Sequence, residues 1–67
     1  MNERQMKIYD YIKIYIAEKR FPPTIREIAT AVGLKSSSTV HGHLGQMREK
    51  GYINFVDSLP RTISIVD

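Results

Sequence analysis

Residues 22–44, PPTIREIATAVGLKSSSTVHGHL, hold two helix signatures separated by a turn of about four residues. The first opens with a capping box: the Thr24 hydroxyl is spaced to accept the backbone N–H of Glu27, whose carboxylate reaches back to the N–H of Thr24. Ile25, Ile28, Ala29 and Val32 follow at i, i+3, i+4 and i+7, an apolar stripe on one helical face. Gly33 stands where such a helix stops, Leu34 is placed to tuck under the turn, and Ser36 or Ser37 offers the next N-cap. Two helices joined by so short a turn are the sequence form of a helix-turn-helix, in which the second helix enters a DNA groove. Double-stranded DNA is therefore the expected partner.

Size narrows the alternatives. A chain of 67 residues is read as one domain over residues 1–67. It buries only about 60% of its unfolded surface, which leaves little room for an enclosed catalytic pocket. No cysteine is present, so neither a disulfide nor a thiolate metal site supplements the core, and the composition fits a reducing interior. Nothing near the N-terminus has the form of a secretory signal, and no apolar run approaches ~18 residues. The expectation is a soluble, cytoplasmic protein without a membrane partner. The net charge of +3 decides little. Its distribution says more: Ile28 through Arg48 contains no Asp or Glu but does contain Lys35, His41, His43 and Arg48. A polyanion approaching that surface is expected to meet no fixed negative charge.

Either side of the central segment the patterns are equally local. Asn2 and Gln5 form a weaker capping box ahead of a helix from Glu3 to Arg20, with Ile8, Ile12 and Ile16 inward and Tyr9 and Tyr15 widening the stripe. Pro22 and Pro23 forbid its continuation. A third helix, Ser37 to Lys50, carries Val40, Leu44 and Met47 on its inner face and closes at Gly51. The period then changes to alternation, with Ile53 and Phe55 on one face of a strand, Ile63 and Ile65 on one face of another, and Asp57, Ser58 and Pro60 in the turn. A hairpin this short must pack on the helices. The expected fold is mostly α with a small antiparallel β-hairpin, a winged helix-turn-helix.

With Val40 inward, Ser38, Gly42 and Gly45 point outward, flanked by Thr39, His41 and Gln46. Two glycines inside one helix cost about 1 kcal/mol each relative to alanine, a large sum against a total stability of about 5 kcal/mol. Close approach of a duplex to the helix backbone would compensate. Ser36 and Ser37, at the helix start, are candidates for phosphate contact. Ser38, Thr39 and His41 are candidates for base edges. Arg26, Lys35, Lys50 and Arg61 are candidates for phosphates, with Arg61 also placed to enter a minor groove. His43 falls near the inner face and reads as a packed histidine. His41 and His43, two apart, diverge by about 200° on a helix and cannot chelate one ion, so no metal site is expected.

These residues match a known pattern. Through PPTIREIATAVGL, SSSTVHGHL and EKGYI the chain resembles the N-terminal DNA-binding domain of LexA, the repressor of the bacterial SOS response, in its Gram-positive form. The resemblance implies a winged helix-turn-helix whose third helix lies in the major groove of a palindromic operator, with Ser36, Ser38, Thr39, His41 and Gly42 at contact positions. It implies transcriptional repression. LexA continues into a dimerising, self-cleaving domain to which nothing in these residues corresponds, so neither self-cleavage nor any other catalysis is expected, and self-association only weakly, on a palindromic site. Where the family usually carries basic residues, this chain has Gly45, Gln46, Asn54, Phe55 and Leu59. Fewer phosphate contacts predict weaker binding and a shallower salt dependence. The rival expectation is a protein-interaction module that modulates another repressor; exposed Phe55 and Leu59 would mark its interface. Neither expectation calls for a cofactor or a small-molecule substrate.

Overall fold

Asn2 is the first residue to commit the backbone. Its side chain accepts the N–H of Gln5 at 2.8 Å while Gln5 accepts the N–H of Asn2 at 3.4 Å, so the expected box is complete. The computed structural model describes residues 1–66; Asp67, the last residue of the expected domain, lies outside the described residues. Helix α1 runs Glu3–Lys19. Arg20, expected as its last residue, instead leaves the helix at φ 70 and satisfies the Ile16 carbonyl from a left-handed cap. The chain thus turns before Pro22 is reached.

Helix α2, Ile25–Ala31, begins at the Thr24–Glu27 box, with hydrogen bonds of 3.1 and 2.8 Å. It ends where Gly33 takes φ 75, and the Leu34 N–H bonds back to the Ala29 carbonyl at 2.9 Å. Leu34 is half-buried against the core, as the turn requires. Helix α3, Ser37–Glu49, closes through Gly51 at φ 84, which lets the Tyr52 N–H reach the Met47 carbonyl. Strands β1, Ile53–Asn54, and β2, Ser64–Ile65, pair antiparallel with Ile53 opposite Ile65 and Asn54 opposite Ser64.

The core is the sum of the predicted stripes. Ile8 and Ile12 of α1, Ile28 and Ala29 of α2, Val40, Leu44 and Met47 of α3, and Ile53, Phe55 and Ile63 of the hairpin are all buried together. Helices α2 and α3 and the two-residue strands are too short to persist alone in water, so the helices and the wing stabilise one another through this shared apolar volume. Among the described residues one polar side chain is buried with them: the Gln5 amide donates to Gln46 at 2.8 Å and to His43 Nδ1 at 3.3 Å, joining α1 to α3. Gln5 therefore serves both as a cap partner and as an inter-helix strut. No helix among the described residues is long and apolar enough to cross a membrane.

Candidate nucleic-acid interface

Packing of Val40, Leu44 and Met47 fixes what α3 shows to solvent. Ser36, Ser37, Ser38, Thr39, His41 and Gly42 are all exposed. Ser36 takes the N-cap position, but its hydroxyl makes no capping bond, and no acidic residue lies in the first turn of α3. Helices α1 and α2, by contrast, have side-chain caps and an acid in the first turn. An α-helix begins with N–H groups that lack intrahelical partners, so the exposed start of α3 presents donors and a partial positive charge outward.

The turn of the helix-turn-helix brings α2 beside that start. Ile25, Arg26, Ser37, Ser38 and His41 line one shallow hollow, so Arg26, 15 positions before His41 in the chain, joins the serines and the histidine around a single surface. Lys35 is exposed in the intervening turn. Lys50 is exposed too, but at the opposite end of α3, about 20 Å away along the helix axis. None of Arg26, Lys35 and Lys50 pairs with a carboxylate among the described residues. A methyl group added at Gly42 or Gly45 would meet no atom within 4 Å, so packing inside the domain does not require either glycine.

Arg61 is engaged elsewhere. Its guanidinium pairs with the Glu27 carboxylate at 3.1 Å, donates to the Pro22 carbonyl at 3.0 Å and to the Tyr15 hydroxyl at 3.2 Å, and lies 4.9 Å from the centre of the Phe21 ring. These contacts tie the wing loop to the α1–α2 junction. The backbone N–H of Thr24, then Arg61, hold the Glu27 carboxyl below its ordinary range. Hydrogen bonds to Tyr15 and Glu27 hold the Arg61 guanidinium above its own.

The expectation of a surface without negative charge needs correction. Asp57 returns from the wing loop to the flank of α3, 3.4 Å from Arg48 Nη1 and 3.6 Å from His41 Nε2. Beneath it the Phe55 ring packs against the Arg48 guanidinium at 4.1 Å and edge-on against the His41 ring at 5.8 Å. Phe55 is only 6% exposed, whereas Leu59 is 58% exposed. Of the two apolar residues that would mark a protein interface, only Leu59 faces solvent. His41 and His43 do point apart, one toward Asp57 and the other toward Gln5.

Three helices, a tight α2–α3 turn, an open α3 face and a two-stranded wing define a winged helix-turn-helix domain of the kind that binds DNA. Residues 1–62 match the LexA DNA binding domain family. Over 66 residues the chain is 56% identical to the LexA repressors of Staphylococcus epidermidis and Staphylococcus haemolyticus and 54% identical to that of Staphylococcus aureus, an alignment covering 98% of this chain. The chain belongs to the LexA DNA-binding domain family. It spans 32% of the length of those relatives.

Proposed function

We propose that this domain binds double-stranded DNA sequence-specifically and represses transcription in the manner of LexA, within an SOS-type response. The observation that carries the reading is the outer face of α3, whose uncapped start, short side chains and unneeded glycines suit close approach to a duplex. In this reading Ser36 and Ser37 meet phosphate through hydroxyls and free N–H groups, while Ser38, Thr39 and His41 reach base edges. Gly42 lets the helix backbone come close. Arg26 and Lys35 hold phosphates beside the helix start and Lys50 holds one at its far end. Arg61, drawn to Glu27, orients the wing.

The test is titration of random duplex and of a palindromic LexA-type site at two salt concentrations, with wild type, Ser38→Glu and His41→Glu. The expected result is preference for the palindrome and loss of at least about tenfold in affinity in both variants, without a change in thermal midpoint. Unchanged binding by both variants would remove α3 as the reading element. A second reading, a module that binds another repressor, draws on exposed Val56 and Leu59 at the wing. A specificity ratio near one would favour it.

A further inference from the structure

The contact made by Asp57 has a geometry that DNA binding alone does not explain. His41 and Arg48 are seven residues apart, two turns along one flank of α3, and the same carboxylate faces both. Asp57 Oδ1 lies 3.4 Å from Arg48 Nη1, and Oδ2 lies 3.5 Å from Nη2, so the guanidinium meets both oxygens. The wing loop holds the carboxylate there. Val56, its neighbour, donates its N–H to Thr62 Oγ1 at 2.9 Å and accepts from the same hydroxyl at 3.2 Å, and Ser58 turns the chain at φ 69. Arg48 is fixed from below by the Phe55 ring and carbonyl, the latter at 3.1 Å. A carboxylate has thus been placed over the one arginine of α3, on the side of the helix that the wing shares.

We infer that Asp57 is a built-in competitor for phosphate, which occupies Arg48 and faces His41 and so caps the affinity of the domain for duplex of any sequence. The inference rests on the DNA-binding reading above. The Asp57 side chain is 60% exposed and Arg48 35%, so the pair is open to water and lies within reach of an incoming polyanion. Until it is displaced, Arg48 makes no phosphate contact, and the Asp57 charge repels the phosphate that would replace it. At Arg48 the effect is carried by the backbone of the duplex, so this part falls equally on cognate and random sequences, and a random duplex reads it free of His41.

The experiment compares wild type, Asp57→Asn and Asp57→Ser on a palindromic duplex and a random duplex across a salt series. Both variants remove the charge, and only the first keeps the shape of the side chain. Each is expected to bind both duplexes about 3- to 10-fold more tightly at low salt, with the slope of log affinity against log salt steeper by about 0.9, the signature of one more phosphate contact. The random duplex, where His41 has no cognate base edge to meet, is expected to show this gain in full. Introducing Asp57→Asn into an Arg48→Gln background is expected to give little of this gain. Unchanged or weaker binding by both variants, with wild type binding normally, overturns the inference alone; weaker binding would assign Asp57 to holding α3 in position. Failure of wild type to bind either duplex at low salt overturns the interface and this inference together.

Discussion

At the scale of single residues, Glu27 carries more than a helix cap. It accepts the Thr24 N–H, pairs with Arg61 and accepts from the Tyr15 hydroxyl at 3.3 Å, so one carboxylate joins α1, α2 and the wing loop. Arg61 reaches it from a backbone at φ 58, a left-handed conformation that an ordinary L-residue adopts only at a cost of roughly 1 kcal/mol. The contacts of the guanidinium hold it there. Because its N-cap and guanidinium partners depress the Glu27 pKa in the folded state, the unfolded chain binds the extra proton first as pH falls. The stability this group contributes is full above its ordinary value of 4.5 and is lost as pH drops through the lower folded value. Glu27→Gln keeps an acceptor for the Thr24 N–H while removing the charge. Its urea midpoint is expected to lie below that of wild type at neutral pH and to converge on it at the acid end of a series from about pH 7 to 2. A constant gap across the series would show that the charge of Glu27 plays no part in acid unfolding.

At the scale of elements, the glycines of α3 set propensity against contact. A methyl at position 42 meets nothing within 4 Å, so Gly42→Ala is expected to raise stability by up to about 1 kcal/mol through helix propensity alone. On the proposed interface the same methyl enters the space between helix and duplex, and palindrome affinity is expected to fall several-fold. Thermal melts and titrations on one preparation read both effects, and stabilisation with unchanged binding would release Gly42 from the contact surface. The starts of α1 and α2 and the inner faces of all three helices were legible because their signals are local: capping boxes span four residues, and Val40, Leu44 and Met47 recur within two turns. The exposed face of the candidate site was legible on α3 itself and much less so where the wing returns to it. Asp57 meets Arg48 across nine residues, Arg61 meets Glu27 across 34, and Gln5 meets Gln46 across 41. No periodicity encodes such pairings, since they depend on how the finished elements lie. The charge-free surface inferred from residues 28–48 failed for that reason.

At the scale of the whole molecule, one copy of the domain presents one α3 and so, on the proposed reading, addresses one half-site. The relatives it matches are about three times as long, since the chain spans 32% of them, and two-fold operators are read by two domains set about 34 Å apart, one turn of duplex. Joining two copies turns the second binding event into an intramolecular one. A Gly/Ser-rich linker of about 40 residues has a root-mean-square span of about 35 Å, enough to bridge the two positions. The tandem protein is expected to bind a palindromic duplex about 10²- to 10⁴-fold more tightly than a duplex with one half-site scrambled. The single-copy protein should distinguish the same two duplexes by little more than the twofold statistical factor. Equal affinity of the single and tandem proteins for the palindrome, with a steep binding curve for the single copy, would mean that the domains contact each other on DNA. That result would move attention to exposed Val56 and Leu59, whose apolar side chains would then be covered by a second wing rather than by solvent.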